Sequence, residues 1–456
     1  MAAVWLWVCW CIFPLRSWND IRLAPTFGLA LGLPLYGGED GPASTWMYGP
    51  LPVWLHLPAT WAAGPGEALL VAGAINILVQ LAAIVAVCMS WPVTSFPAPD
   101  RLSRLVAGCF VLAVWPWASW QFIQADNSAV ACGLVANLLL ARGRGGPAAW
   151  PAAAFATAAV MCKQTSLAVP AGQVVWLAAV LGVRAAAWHV GRLALAGVAW
   201  LAVVCMATDP AGAWYSAVVV PGGLPWTKAP GERLLDMAPF FAVHLLVPVA
   251  AWAWLGRTGR AQDLTLPTLV WLLAWPLGTA SVFKTGGTNN CLQGFPLWLP
   301  AAAVVGVAAV ICRTGKTRAV VAVAAISVLL LGARIATRPV KIWRPTIDGY
   351  AEAVELSRRL PGMLWFPWNP LVTVHTEGRM YQTEDGLYIR EVAGRPVPDA
   401  ASRRHLPPRL SGRVLPSSGS EWGLAARFLP GPLERVDLEN WVVIRQRRAP
   451  RAGEEP

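Results

Sequence analysis

Residues 16–58 read RSWNDIRLAPTFGLALGLPLYGGEDGPASTWMYGPLPVWLHLP, the longest polar interruption before Arg334 in a chain that is otherwise one apolar segment after another. This stretch holds Asp20, Glu39 and Asp40, three of the ten acidic residues in that region. Hydrophobic residues make up 56% of the chain and charged residues 13%, with a mean hydropathy of +0.50. Soluble domains carry about 25% charged residues, so the composition argues against a single soluble core. Many of the 27 tryptophans sit at segment ends (Trp91, Trp150, Trp188, Trp298), where an interfacial aromatic belt places them.

Spans of about 20 apolar residues are the unit to look for in such a chain. Eleven are read, at 1–15, 68–91, 104–121, 127–141, 148–162, 165–183, 192–207, 237–255, 264–283, 293–312 and 318–336. The first is short and lacks a basic flank, so either it runs on toward Trp18 or the true start lies upstream. A cleaved signal peptide is the rival, although no charged n-region or small-residue cleavage site supports it.

The net charge of +12 does not point to nucleic acid, because Lys and Arg are scattered through short loops. With the N-terminus inside, the cytoplasmic loops hold Arg101, Arg104, Arg142, Arg144, Arg184, Arg192, Arg257, Arg260, Arg313, Lys316 and Arg318. The opposite loops are longer yet hold only Arg16, Arg22, Lys163, Lys228, Arg233 and Lys284. That bias puts residues 16–67, the Asp126 turn, Lys163, the 208–236 loop, the 284–292 loop and the C-terminal tail outside the cytoplasm.

From residue 337 the chain becomes polar, with half of all Lys and Arg and more than half of the acids. TIDGYAEAVELSRRL has helical spacing, and NWVVIRQ reads as a last strand. GRMYQTEDGLYIREVAG reads as a hairpin around Asp385-Gly386, and 395–420 as a Pro/Arg/Ser-rich loop. The expectation is an all-α polytopic membrane protein with about eleven helices (1–336) and a small extracytoplasmic α/β appendage (337–456). The nine cysteines lie in or beside apolar segments without zinc-ligand spacing, and read as small buried side chains. No internal repeat, P-loop, dinucleotide fingerprint or metalloprotease motif is present.

Three charged residues stand where chemistry is expected. A carboxylate such as Asp20 at a membrane interface needs a reason, since deeper insertion costs several kcal/mol. It reads as a general base outside the bilayer, or as a helix cap or partner of Arg16 or Arg22. Asp126, in QFIQADNSAVACGL, is the only acid between Asp100 and Asp209; it reads as an active-site acid, as a helix N-cap, or as both. Lys163, with no acid nearby in sequence, fits an anionic ligand such as phosphate, or snorkels to lipid headgroups. Lys284 is similar, and Gly286 to Asn290, including Asn289 and Asn290, offer donors or form a plain turn. Glu39 and Asp40 sit in a solvated turn and are possible metal ligands. The five histidines form no ligand pattern.

Taken in order, Asp20, Gly32-Leu33-Pro34-Leu35-Tyr36, Tyr48-Gly49-Pro50-Leu51, Ala125-Asp126, Lys163-Gln164-Thr165 and Gly286-Gly287-Thr288-Asn289-Asn290 resemble the motifs of the GT-C integral-membrane glycosyltransferases. The branch resembled is the group of protein O-mannosyltransferases, lipid-A aminoarabinose transferases and rhizobial lipopolysaccharide transferases. The resemblance covers roughly residues 10–300. Gly49 stands where the family has a Pro, and no Arg precedes Asp126. These departures leave open a degenerate member.

The resemblance implies transfer of a sugar from a polyprenyl-phosphate donor to a hydroxyl of a glycan, lipid or protein acceptor, with inversion. It implies Asp20 as base, Asp126 as a second active-site acid, and Lys163, with Arg22 or Lys284, as contacts of the leaving phosphate. Tyr36, Tyr48, Trp46, Asn289 and Asn290 are the implied substrate contacts. A divalent metal (Mg or Mn) is possible but nothing requires one. Membrane lipids are the other partner, and a bacterial inner membrane with a periplasmic active site is the expected location. A transporter or flippase, which predicts inverted repeats and ionisable residues within spans, is the competing class. An assembly subunit is the third.

Overall fold

The computed structural model describes the chain except for residues 1–14, 16, 39–43, 45, 117, 118, 121, 144, 145, 147, 258–260, 338–346, 418–426, 430 and 447–456. The predicted span at 1–15 therefore lies almost wholly outside the described residues, as do Glu39 and Asp40. Each of the other ten predicted spans contains a helix.

Seven helical stretches are long and apolar enough to cross a membrane: Pro65–Ser90, Gln164–Leu181, Val183–Ala207, Pro230–Gly256, Ala261–Val282, Gly294–Thr314 and Lys316–Ala333. Their faces report what they meet. The apolar window of Val183–Ala207 is 0% buried against protein while that of Gly294–Thr314 is 72% buried. A helix apolar on every side and unpacked on most of them belongs in lipid. The other three predicted spans hold Arg101–Val114, Ala125–Gly143 and Ala149–Cys162, which fall outside that group of seven. Arg101–Val114 stops short of the predicted residue 121 because Pro116 offers no amide hydrogen to a further turn.

Small residues let this bundle close. A Cβ on Gly133 would meet Leu297 at 2.7 Å, and one on Gly172 would meet Val270 at 2.6 Å. Of the cysteines described, Cys88, Cys162 and Cys291 are buried as expected, but Cys205 and Cys312 are exposed. All seven described cysteines are free thiols.

The 16–58 stretch is not simply a loop. Ser17–Ala30, here α1, is a helix with Pro25 inside it and Asp20 in its first turn. Its buried residues run almost unbroken from Asn19 to Gly28, so it is a packed internal element and its apolar side chains read as loop only because polar ones interrupt them. Leu51–Leu55 forms a further short helix, α2.

The C-terminal unit carries a four-stranded sheet of β1 (Leu364–Trp365), β2 (Gly412–Pro416), β3 (Leu433–Asp437) and β4 (Trp441–Gln446) in the order β1-β2-β4-β3. β1 and β2 are parallel; β4 is antiparallel to both its neighbours. The expected helix is present at Ile347–Arg359 and the expected last strand is β4. The expected hairpin is not. Residues Glu384–Val392 are a helix, because Thr383 caps it by accepting the Gly386 amide at 3.1 Å and two acids occupy its first turn. The expected loop at 395–420 likewise contains a helical turn, Asp399–Arg404, and β2.

The tail is docked rather than appended. One core cluster joins Leu23, Ala24 and Phe27 of α1 and Ala68, Leu69 and Ala72 of Pro65–Ser90 to Tyr350, Phe366, Leu371 and Trp441 of the C-terminal unit. Burial of aromatic and aliphatic side chains on this scale stabilises by roughly 1.5–3 kcal/mol for each fully buried one. The unit therefore caps the end of the bundle at which Pro65–Ser90 and Ala125–Gly143 begin.

Candidate active site

The chain reversals at that capped end bring Asp126 and Lys163 together. Asp126 lies in the first turn of Ala125–Gly143, and Lys163 ends Ala149–Cys162 in an extended conformation that turns its side chain inward. Lys163 Nζ donates to Asp126 Oδ1 at 2.5 Å, and both side chains are buried. Gln293 Nε2 donates to the same oxygen at 2.8 Å and Asn290 Nδ2 to Oδ2 at 3.0 Å. Ser166 in turn orients Gln293 by donating to its Oε1 at 2.9 Å. Asp126 thus accepts from three side-chain donors. Lys163 carries three ammonium donors, of which Asp126 takes one.

The Tyr48 ring lies over this pair. Its centroid is 5.6 Å from Lys163 Nζ and 6.0 Å from the Arg22 guanidinium carbon, so one aromatic ring is shared by two cations. Three contacts fix the ring's loop. Tyr36 Oη donates to the Tyr48 carbonyl at 2.7 Å, Trp46 Nε1 to the Gly49 carbonyl at 2.9 Å, and Gln164 Nε2 to the Met47 carbonyl at 2.9 Å. Gly49 is required here, since a Cβ would fall 1.7 Å from the Met161 carbonyl oxygen. The departure from the family's Pro is therefore a close backbone approach two residues from Lys163.

Asp20 is held by the C-terminal unit. It is fully buried and accepts from Tyr350 Oη at 2.9 Å, Asn369 Nδ2 at 3.3 Å and the Leu371 amide at 3.0 Å. All three donors belong to the C-terminal unit. Burial raises its pKa to about 7, with the three hydrogen bonds pulling the other way. Asp20 and Asp126 share no direct contact and have separate donor sets; the neighbouring Asn19 reaches the Asp126 segment by accepting the Ile123 amide at 2.8 Å.

Arg22, two residues further along α1, stacks on Trp18 at 4.5 Å and faces Asp385 of the C-terminal unit at 3.9 Å. Trp18 stacks on Trp368, whose Nε1 donates to Glu384 Oε2 at 2.6 Å. Glu384, Asp385, Trp368, Tyr350 and Gln293 were not singled out from the sequence. The run Thr383-Glu384-Asp385-Gly386 held a signal: a capping residue followed by acids is a helix start, and it brings two carboxylates to one end of it.

Lys284 is elsewhere. Its Nζ donates to the Pro221 carbonyl at 3.0 Å and lies 5.7 Å from the Trp226 ring. Beside it opens an apolar cleft of about 680 Å³ lined by Trp226, Trp275, Pro276 and Phe283 among others. Arg233 anchors the loop that carries Asn290 to Asp126 by donating to the Gly287 carbonyl; among the described residues Asn289 makes no side-chain hydrogen bond. Among the described residues no group of three or more His, Cys, Asp or Glu is placed to hold a metal ion.

The helices packed side by side, with a small α/β unit docked over one end, define a helical membrane-protein architecture. No protein-family model matches the sequence, and no curated protein matches it. Among solved structures, ArnT from Cupriavidus metallidurans superposes with a TM-score of 0.58 at 13% identity, covering 97% of this chain and 96% of that one. The chain therefore has the fold of that structure. The arabinosyltransferase EmbB from Mycobacterium smegmatis aligns over 86% of this chain and 42% of its own, at 14% identity and a TM-score of 0.46.

Proposed function

We propose that this protein is a membrane glycosyltransferase that moves a sugar from a polyprenyl-phosphate donor to a hydroxyl of a glycan, lipid or protein acceptor, with inversion. The observation that carries the reading is the buried Lys163–Asp126 pair with the Tyr48 ring over it and Arg22 beyond. Departure of a polyprenyl phosphate leaves charge on oxygen, which needs preorganised cations where water is scarce. Lys163 has an ammonium donor beyond those directed at Asp126 and Cys291, and Arg22 lies 6.0 Å from the same ring. Asp126 keeps Lys163 protonated and aimed, while Asn290 and Gln293 hold Asp126.

The GT-C fold supports the same class, as does the apolar cleft beside Lys284, which suits a lipid-borne substrate arriving from the bilayer. Tyr36 and Trp46 act here by holding the Tyr48 loop. The active face lies outside the cytoplasm, in a bacterial inner membrane on the periplasmic side. Glu39 and Asp40 stay candidates for a divalent ion, and no step here depends on one. The hydroxyl acceptor needs a carboxylate to take its proton. Asp20 is the candidate for that base: its Oδ1 accepts only the Leu371 amide, and burial raises its pKa to about 7.

The test is transfer in membranes supplied with labelled polyprenyl-phosphate sugars. Wild type transfers label to an acceptor, and Lys163→Met, inserted at the same level, does not. Equal transfer by both would remove Lys163 from the chemistry, and no transfer by wild type from any donor would overturn the reading.

A further inference from the structure

We infer that the C-terminal unit holds a second ligand site, a basic cleft against the end of α1 that takes the phosphate headgroup of an anionic membrane lipid. The cleft encloses about 320 Å³, at the small end of the roughly 300–1,000 Å³ usual for ligand sites. It therefore suits a headgroup rather than a whole lipid. Leu31 and Leu33, just past α1, supply apolar lining, and Arg379, Arg403, Arg404 and His405 of the C-terminal unit supply the basic lining. Three guanidinium groups on one cleft call for an anion, and a phosphate offers several oxygens to their forked N–H donors.

The protein does not neutralise this charge itself. Among the described residues no acid lines the cleft, and no ion pair engages Arg379 or Arg403, both of which are exposed. The acids nearby in sequence have other partners. Glu377 Oε2 accepts the Tyr381 hydroxyl at 2.6 Å and its Oε1 the Gly362 amide at 3.0 Å. Glu391 and Asp399 both face Arg427, at 3.5 and 3.6 Å. The Phe428 ring, 5.7 Å from the Arg403 guanidinium carbon, gives that side chain a fixed seat.

Position favours a lipid over a free ion. Leu33 packs against the apolar cluster that includes Ala59, Ala68 and Leu69, where the membrane-spanning helix Pro65–Ser90 begins. Trp61, four residues before that helix and 85% exposed, stands as an interfacial anchor at the same level. Headgroup phosphates lie there, and basic pockets at that depth bind anionic headgroups. The cleft is separate from the Lys163 pair, since Leu31 stands more than two turns of α1 beyond Arg22, and it does not depend on the glycosyl-transfer reading. Its lining comes from both the end of α1 and the C-terminal unit, so a bound headgroup bridges the two and stabilises their docking.

The experiment measures melting temperatures of the full-length protein in phosphatidylcholine nanodiscs, with and without phosphatidylglycerol, and in detergent with and without inorganic phosphate. Wild type should melt a few degrees higher with phosphatidylglycerol and be unmoved by inorganic phosphate. Arg379→Gln/Arg403→Gln should melt with wild type in phosphatidylcholine and lose the rise. Arg101→Gln/Arg318→Gln, which removes two charges beside the Lys316–Asp100 ion pair at the other end of the bundle, should keep it. No rise in wild type, or the same rise in all three proteins, would overturn the site. Loss of the rise in both variants would do so too, because net charge alone would then explain it. A lowered melting temperature of the Arg379/Arg403 variant in phosphatidylcholine would show those arginines holding the fold instead. A wild type raised as much by inorganic phosphate as by phosphatidylglycerol would overturn the lipid in favour of a free phosphate.

Discussion

Lys163 Nζ stands 2.5 Å from Asp126 Oδ1 where a helix start and a helix end meet, and two side-chain amides complete the carboxylate's shell. A buried pair is poor evidence for stability as such, but breaking one half is costly because the other charge is left buried. The two halves here are unequal. Asp126 has Asn290 and Gln293 as further donors, whereas no other described acid pairs with Lys163. Asp126→Asn should therefore destabilise by about 3–5 kcal/mol, and Lys163→Met by less. The double variant should recover part of the loss. Thermal unfolding of the detergent-solubilised protein measures this cycle, and equal, additive losses would count against the asymmetry.

Asp20 makes docking of the C-terminal unit depend on pH. Its pKa in the folded protein is raised to about 7 from the ordinary 3.8, mainly by burial. The folded state thus binds the proton more tightly than the unfolded chain. The stabilisation this gives is complete below the ordinary value and is lost as pH rises through about 7. Melting temperatures of wild type minus those of Asp20→Asn should accordingly fall between pH 5 and pH 8.5. A difference that is flat, or that rises, would mean that Asp20 is ionised throughout.

What the sequence disclosed follows from physical scale. Long apolar runs such as 68–91 and 293–312 need no partner to be recognised, since a bilayer-length stretch has few other uses. Lys163 and Asp126 were legible because a charge between two such runs is expensive without a purpose. The docking surface was not legible: α1 carries Asp20 and Arg22 among its apolar residues, and their partners lie more than 300 residues away in Tyr350, Asn369 and Asp385. The helix at Glu384–Val392 reads as strand because Leu387 and Ile389 alternate with polar or amphipathic neighbours after the Asp385-Gly386 turn signal, while its start is carried by the single cap at Thr383.

The Tyr48 ring separates electrostatic from hydroxyl chemistry. Its contacts with Lys163 and Arg22 are made through the ring face region, so Tyr48→Phe should keep transfer within a few-fold of wild type. Tyr48→Ala removes two cation–π contacts worth about 0.5–1 kcal/mol each or more when desolvated, which is about a tenfold loss in donor affinity. Steady-state kinetics with varied donor distinguish the two. An inactive Tyr48→Phe would assign the hydroxyl a direct role.

Two glycines near the site make opposite predictions. A Cβ on Gly49 would sit 1.7 Å from the Met161 carbonyl oxygen and 2.5 Å from its carbon. Those are backbone atoms of the helix that ends at Lys163, so they cannot swing aside as a side chain can. Either the 46–49 loop lifts, taking the Tyr48 ring off Lys163, or the helix end shifts and takes Lys163 with it. A Cβ on Gly28 would instead meet Met380 Sδ at 3.3 Å, the far end of a flexible side chain that adapts at little cost. Gly49→Ala should thus lower transfer at least tenfold, with a lower melting temperature, while Gly28→Ala stays within twofold of wild type. The pair is read in one assay at matched membrane levels. If Gly49→Ala transfers as well as Gly28→Ala, the close approach of the Tyr48 loop to the Lys163 helix is not what holds the site together.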